Sequence, residues 1–361
     1  MSGIFGKNIR ISIFGESHGA AIGLLADGFP EGETVDFEEL SSFMARRSAQ
    51  GKSYATARKE PDVPVFLSGI RDGKILSSPL AVMIENKSAH SADYKALADE
   101  PRPGHADFAA FARHRENVDL RGGGHYSGRL TAPLCAAGGI AIQILERRGI
   151  HVFSHIAQIY NVFDKKFDPV TVGKAEREAI KASEIGTLDP MAGRKMLEVI
   201  EKAKSEGDSV GGVIECAVTG LEAGSCGEHM FDGLEGHISH ALFSVPAVKG
   251  VEFGNGFACA GLLGSENNDA FTVDENGKIR TLTNNAGGIL GGTASGMPII
   301  VRAALKPTPS IYKPQQSVSL SENKVETLTI EGRHDPCIVT RAAPCIESAV
   351  ALAVLDLLLD K

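Results

Sequence analysis

The chain is predicted to fold as one α+β domain spanning residues 1–361. Segments with strand periodicity and segments with helix periodicity occur in both halves of the sequence. No stretch rich in proline and serine separates the halves, and no internal repeat of constant length is visible. A chain of 361 residues could form one large domain or two ordinary ones. The lack of a linker favours one.

The first predicted elements are a strand and an amphipathic helix. Residues 9–13 alternate isoleucine with polar side chains, as in a half-buried strand. This strand leads into the polar segment 14–19, whose Ser17 and His18 are either functional or simply bonded to the backbone of a turn. The pattern Asp36–Glu39 is typical of a capping box at a helix start, and apolar residues follow it at helical spacing.

A basic region follows this helix. Arg46 and Arg47 lie at its end, and the polar segment Gln50–Arg58 is predicted to be an exposed, mobile basic loop. In a chain of net charge −8, this local excess of positive charge indicates an anion site. The alternative is structural, because cations in a last helical turn also complement the helix dipole.

The rest of the chain continues the mixture of strands and helices. A helix that begins at Asp189-Pro190 has both an N-cap residue and a proline at its first position. The predicted strands are 64–70, 75–84, 210–218 and 248–253, and the predicted helices are 131–148, 189–207, 231–245 and 345–359.

Composition excludes several classes of protein. The six cysteines form no C-x-x-C pair, which argues against a zinc site or a disulfide framework and fits a reducing cytosol. The acidic net charge gives no general attraction to nucleic acid or to an anionic membrane. No signal-peptide pattern is seen at the N-terminus, and the most apolar segment, Cys345–Leu359, is too short to span a bilayer. A cytoplasmic protein is therefore expected, with neither nucleic acid nor membrane as a partner.

The segment Arg121–Arg129, Arg-Gly-Gly-Gly-His-Tyr-Ser-Gly-Arg, is the first candidate binding loop. Three glycines allow the backbone to approach a ligand closely. The loop precedes a predicted helix, whose N-terminus favours a phosphate or carboxylate. It is not a P-loop, because no Gly-Lys-Ser/Thr follows at the required spacing. A tight turn without any ligand is the alternative.

Four further clusters place polar residues in frames of glycine and proline. His105 is held between prolines and a glycine, as suits a proton-transfer residue, although a turn histidine without a task is commoner. The others are the glycine cluster Ala286–Gly292, the segment Lys306–Ser310 that suits a phosphate, and the segment Gly332–Cys337 that contains Asp335. No metal-ligand spacing such as H-E-x-x-H exists, so the clusters suggest metal-free binding of a multiply anionic small molecule.

The order and wording of these clusters resemble the chorismate synthase family. The similarity is collinear from Phe5 to the C-terminal helix. Its motifs are Phe-Gly-Glu-Ser-His-Gly, Arg-Pro-Gly-His-Ala-Asp, Arg-Gly-Gly-Gly, Ala-Val-Lys-Gly-Val-Glu, Ala-Gly-Gly-Ile-Leu-Gly-Gly, Lys-Pro-Thr-Pro-Ser-Ile and Gly-Arg-His-Asp-Pro-Cys.

The resemblance implies a fold, a reaction and partners. The fold would be a single-domain β-α-β sandwich, assembled as a homotetramer. The reaction would be the 1,4-anti elimination of phosphate from 5-enolpyruvylshikimate 3-phosphate (EPSP) to give chorismate, in the shikimate pathway of aromatic amino acid biosynthesis. It would require reduced FMN without net redox change. NADPH would act only as an indirect reductant, and an external flavin reductase could supply the electrons.

The resemblance also implies roles for individual residues. His18 would protonate the leaving phosphate, His105 would set the protonation of the flavin, and Asp335 would help to remove the ring proton through flavin N5. The implied substrate-binding residues are Ser17, Arg46, Arg47 and Arg129. The implied flavin-binding residues are His125, Tyr126, Ser127, Pro246, Ala247, Gly291, Lys306, Pro307, Thr308, Pro309, Ser310 and Arg333.

The chain departs from the family pattern at a few of these positions. His125 stands where the family has arginine, Tyr126 where it has serine, and Pro246 where it has asparagine. In the basic loop, Ser53 stands where a further arginine is usual. Two other interpretations therefore stay open: a flavin reductase or flavin store, which would not need His18, and a non-catalytic FMN-binding relative.

Overall fold

Two five-stranded sheets enclose a layer of helices in this protein. A computed structural model describes residues 3–49, 54–55, 62–87, 99–330, 332 and 334–360. Most of the predicted loop Gln50–Arg58, and Arg333, lie outside these residues. The described strands are β1 (Ile4–Phe5), β2 (Arg10–Gly15), β3 (Ala21–Asp27), β4 (Val65–Ser68), β5 (Ile70–Arg71), β6 (Lys74–Ile75), β7 (Leu80–Glu85), β8 (His151–Ile159), β9 (Val162–Phe163), β10 (Gly212–Thr219), β11 (Val248–Phe253), β12 (Phe271–Val273), β13 (Ile279–Thr281), β14 (Ile289–Leu290), β15 (Thr293–Ala294), β16 (Ile299–Leu305), β17 (Gln315–Ser319) and β18 (Lys324–Leu328).

The helices occur between the strands along the chain. The α-helices are α1 (Phe37–Arg47), α2 (Asp107–His114), α3 (Thr131–Arg147), α4 (Lys174–Ala182), α5 (Pro190–Ser205), α6 (Leu234–Ser244), α7 (Gly264–Asn267) and α8 (Val339–Leu358). Short 3₁₀ turns occupy Arg115–Asn117, Arg121–Tyr126, Gly128–Leu130, Met230–Asp232 and Gly256–Gly261.

Both large sheets are antiparallel. The first has the strand order β1-β2-β3-β7-β4 and the second the order β11-β16-β10-β8-β9. Helix α3 packs against β3 and β7 of the first sheet, whereas α8 packs against β8 and β10 of the second. The two helices also pack on each other, so the layers run sheet, helices, sheet. This arrangement confirms the α+β prediction and the β-α-β sandwich that the family resemblance implies.

The helical layer is apolar because both of its faces are covered. Almost every residue of α3 and α8 is buried, and one hydrophobic cluster extends from the first sheet through these helices to the second. At Gly138 the helices approach so closely that an added Cβ would lie 2.1 Å from the Cβ of Ser348. Any larger residue at 138 would force the helices apart.

Most predicted element positions are confirmed, and the differences have local causes. The strand expected from Ile75 begins at Leu80, because Ile75 pairs with Ile70 in a separate hairpin. The helix expected from Phe231 begins at Leu234. Asp36 caps α1, accepting hydrogen bonds from the backbone N–H groups of Glu38 and Glu39 at 2.9 Å, but its own backbone N–H donates to Gln143 of α3 rather than to Glu39.

Among the described residues, one helical stretch, Gly128–Arg147, is long and apolar enough to cross a membrane by length and composition. In the fold, 94% of its apolar 18-residue window is buried inside the protein, where most of the stretch forms the core helix α3. The C-terminal helix that was predicted to be buried is α8, which begins at Val339 and includes Pro344.

Candidate active site

A cavity of about 700 Å³ opens between the first sheet, the start of α3, the start of α8 and the loop after β16. Ligand pockets of this size hold drug-sized molecules. Its apolar wall includes Ile13, Leu134 and Ile338. The predicted site residues that line it are Arg47, His105, His125, Tyr126, Ser127, Arg129, Pro246, Ala247, Lys306, Thr308, Pro309, Ser310 and Asp335.

The glycine loop Gly122–Gly124 positions two of the predicted catalytic histidines. All three glycines have positive φ, between 53° and 90°. A Cβ at Gly122 would lie 2.1 Å from the ring of His18, and one at Gly123 would lie 3.2 Å from the ring of His105. The two imidazoles therefore pack on consecutive glycines, and only residues without a side chain leave room for both.

This loop is anchored to the end of β2. The backbone N–H of Ser17 donates to the carbonyl of Gly124 at 3.1 Å, and His125 bonds through Nδ1 to the carbonyl of Gly15 at 2.9 Å. Ser17 is fully buried, and its hydroxyl has no hydrogen-bond partner among the described residues. Leaving a buried hydroxyl unsatisfied costs free energy, so this group requires a hydrogen-bond partner.

Two arginines of the cavity share one carboxylate. Arg47 at the end of α1 lies 2.5 Å from Asp62, and the guanidinium of Arg129 binds the other carboxylate oxygen of Asp62. Burial opposes the charges of Arg47 and Asp62, but the attraction of Asp62 raises the pKa of Arg47, and the attraction of Arg47 and Arg129 lowers the pKa of Asp62. Asn86 accepts a hydrogen bond from Arg129 at 2.9 Å and fixes the second guanidinium.

His105 belongs to a buried hydrogen-bond network. Its Nδ1 lies 2.6 Å from a carboxylate oxygen of Asp107, which also accepts two hydrogen bonds from Arg102 at 2.7 and 2.8 Å. Burial opposes ionisation of Asp107, but these donors lower its pKa well below its ordinary value. An ionised carboxylate on Nδ1 keeps that nitrogen protonated, which leaves Nε2 as the atom that can exchange a proton.

The loop after β16 and the turn before β11 form the side of the cavity that suits a cofactor. Lys306 donates to the carbonyl of Gly104, and burial together with Lys249 lowers its pKa. Ala247, with φ 75°, accepts a hydrogen bond from the backbone N–H of Lys306 at 3.0 Å. The hydroxyl of Thr308 is buried and has no hydrogen-bond partner among the described residues, and Ser310 bonds to Arg102.

Asp335 lies four residues before the start of α8 and lines the same cavity. One of its carboxylate oxygens lies 2.5 Å from the guanidinium of Arg341. Arg341 also donates through Nε to the backbone carbonyl of Arg47 at 2.8 Å. The start of α8 thereby ties the predicted base to the arginine pair of the cavity.

Several predicted site residues do not line the cavity. Arg46 points to α8, where it makes a bidentate ion pair with Glu347 at 2.6 and 2.7 Å. Gly291 lies in the exposed turn of the β14–β15 hairpin, and Pro307 is exposed. Ser17 and His18 lie beside Gly122. Arg333 is outside the described residues.

Several residues of the site were not assigned a role from the sequence, among them Asp62, Asp107 and Arg341. Asp107 was visible as the end of the His105 motif, and Arg341 as a lone cation among the apolar residues of the last helix, since a buried charge is normally paired. Asp62 follows Pro61 with no signal of its own.

Comparison with known proteins gives one consistent result. The chorismate synthase family model matches residues 9–359. The chorismate synthase of Lancefieldella parvula is 47% identical, covering 99% of this chain and 96% of the relative. That of Thermococcus kodakarensis is 44% identical, covering 99% and 97%. A crystal structure of chorismate synthase superposes with a TM-score of 0.76 at 26% identity, covering 98% of this chain and 92% of that one.

Proposed function

The chain belongs to the chorismate synthase family of carbon–oxygen lyases, and we propose that it converts EPSP to chorismate with reduced FMN bound in the cavity. The observation that carries the proposal is the joint lining of one cavity of about 700 Å³ by Arg47, Arg129, His105 and Asp335. The cavity thus offers cations for an anionic substrate together with groups that can hold and release protons.

The residues present fit a flavin phosphate and ring system. The buried hydroxyl of Thr308, which has no partner among the described residues, and the ammonium of Lys306 offer a hydrogen bond and a charge to a phosphate. Ser127 and Ser310 add further hydroxyls, and the glycine loop leaves space where side chains would otherwise stand. When bound, reduced FMN would lend electron density to the substrate as phosphate departs and recover it afterwards.

The arginine pair would take the anionic groups of EPSP. Arg47 and Arg129 are both more than nine-tenths buried, and in this structure they converge on the carboxylate of Asp62. Two buried guanidiniums are well suited to a phosphate or carboxylate, which they can bind with paired hydrogen bonds. Arg46 has no part in this proposal, because its guanidinium is engaged by Glu347 away from the cavity.

The imidazoles of His18 and His105 and the carboxylate of Asp335 would carry out the proton transfers. With Nδ1 held by Asp107, His105 presents Nε2 to the neighbourhood of the glycine loop. His18, on the adjacent glycine, would donate a proton to the departing phosphate. Asp335 would accept the proton that leaves the ring, with Arg341 stabilising its ionised form.

The proposal extends to assembly and to the supply of electrons. Large apolar side chains that are exposed in the single chain support assembly into a homotetramer; Phe231, Phe257 and Phe271 are 94%, 88% and 72% exposed. NADPH would act through a separate reductase in the cytoplasm. Size-exclusion chromatography with light scattering tests the assembly, and a monomer at micromolar concentration would contradict it.

An anaerobic assay tests the activity. Purified protein is mixed with EPSP and chemically reduced FMN, and chorismate and phosphate are followed together. Equal release of the two is expected, and the absence of both would overturn the proposal. Oxidation of NADPH in the presence of FMN but without EPSP would instead support a flavin reductase, whereas FMN binding without either reaction would support a non-catalytic relative.

A further inference from the structure

The wall of the cavity contains a pair of cysteines that the proposed reaction does not use. Cys345 of α8 lines the cavity, and Cys135 of α3 lies directly behind it. Their sulfur atoms are 3.7 Å apart, with the thiol of Cys135 donating to Cys345. Both residues are buried, so the cavity that Cys345 lines is the route by which a small oxidant would reach it.

The packing of the two helices fixes this sulfur pair. Gly138 and Ser348 mark a close approach of α3 to α8. Cys135 and Cys345 lie three residues before them, on the same helix faces. A disulfide has a sulfur–sulfur distance of about 2.05 Å. The observed sulfur–sulfur distance of 3.7 Å must therefore shorten by about 1.7 Å for the disulfide to form.

The two thiols differ in their surroundings. The hydrogen bond from Cys135 and the positive charges of Arg47 and Arg341 lower the pKa of Cys345, although burial opposes this. Burial raises the pKa of Cys135. These surroundings favour the thiolate at Cys345 more than at Cys135, which suits Cys345 as the attacking sulfur and Cys135 as the resolving thiol. By contrast, burial raises the pKa of Cys337 to about 12, as expected of an inert thiol.

We propose that Cys345 and Cys135 are a peroxide-oxidisable dithiol whose disulfide staples α3 to α8 behind the cavity. The thiolate of Cys345 attacks hydrogen peroxide, the O–O bond breaks, and hydroxide leaves to give a sulfenic acid at Cys345. The thiol of Cys135 then attacks that sulfur, and water leaves as the disulfide forms. Peroxide is thereby reduced to water and hydroxide, and the dithiol is oxidised by two electrons. Neither step needs flavin or EPSP.

The test treats the reduced full-length protein with increasing hydrogen peroxide in the absence of flavin. The remaining thiols are alkylated under denaturing conditions and the peptides are identified by mass spectrometry. The expected result is the loss of the Cys135 and Cys345 thiols and the appearance of a Cys135–Cys345 linked peptide that disappears after treatment with dithiothreitol. The exposed Cys259 serves as an internal measure of the peroxide dose.

Matched variants identify which sulfur reacts first. Cys135→Ser should stop at a sulfenic acid on Cys345 that dimedone traps, whereas Cys345→Ser should leave Cys135 fully alkylatable. Cys216→Ser, which removes another buried thiol, should give the same linked peptide as the natural protein. Recovery of both Cys135 and Cys345 as alkylated peptides, at a dose that oxidises Cys259, would overturn the proposal. The activity assay is independent of this result.

Discussion

Replacement of Asp62 by asparagine isolates the carboxylate that joins the two arginines of the cavity. Arg47 and Arg129 are 5% and 6% exposed, and Asp62 is 4% exposed, so the three charges are shielded from water. The variant keeps the size of the side chain but removes the negative charge. Two buried guanidiniums then face each other without the carboxylate that now lies between them.

The expected loss of stability follows from this burial. Removal of one partner from a buried ion pair costs about 3–5 kcal/mol, because the remaining charge is left in a poorly solvated site. With an unfolding entropy of about 2.1 cal/mol/K per residue, that loss corresponds to a fall in Tm of about 4–7 °C for this chain. Asp208→Asn is the matched control, since its ion pair with Lys313 is exposed and should contribute at most about 1 kcal/mol.

Inorganic phosphate provides the decisive comparison. If Asp62 occupies the place of a ligand anion, phosphate must displace it in the natural protein but meets no competing carboxylate of residue 62 in Asp62→Asn. Phosphate should therefore raise the Tm of the variant more than that of the natural protein. At one hundred times its Kd for the variant, phosphate should add about 2.7 kcal/mol to the free energy of unfolding of the variant. Thermal unfolding with and without phosphate measures both effects. An unchanged Tm in the variant, or equal responses to phosphate, would refute the reasoning.

Three other predictions follow from the site and the core. Gly122→Ala should destabilise the protein by about 1 kcal/mol or more and reduce chorismate formation. Residue 122 has a positive φ, and the new Cβ would clash with the ring of His18. The control Gly128→Ala, which places its Cβ in open space, should change neither stability nor chorismate formation. Asp107→Asn should lower the turnover rate by about 10²-fold without loss of FMN binding measured by fluorescence. A turnover rate equal to that of the natural protein would contradict the role of Asp107 in orienting His105. His155 is buried between Asp164 and Glu215; burial opposes its charge, but these carboxylates raise its pKa above 6.5. His155 therefore contributes stability that is fully present below pH 6.5 and is lost as pH rises through its folded-state pKa. In urea unfolding across this pH range, the free energy of unfolding of His155→Gln should fall less with rising pH than that of the natural protein. Parallel plots of this free energy against pH for the two proteins would exclude the contribution.

Local patterns in the sequence determined much of the fold. The alternating isoleucines predict β2, and Asp36 and Asp189 predict helix starts whose caps are present in the structure. These signals are readable because a cap or a strand period depends on residues only a few positions apart. The motif order was sufficient to indicate the family, which the relatives and the crystal structure then established.

Pairings between distant segments could be decided only by the tertiary structure. Arg46 and Arg47 are adjacent in sequence and were given the same role. Helix geometry turns their side chains to different partners: Glu347, 301 positions away, and Asp62, 15 positions away. The same holds for the backbone N–H of Asp36, which bonds to Gln143 of a neighbouring helix rather than to the residue that completes a capping box. The sequence shows which charged residues are present, but the packing of helices between two sheets determines which of them form ion pairs.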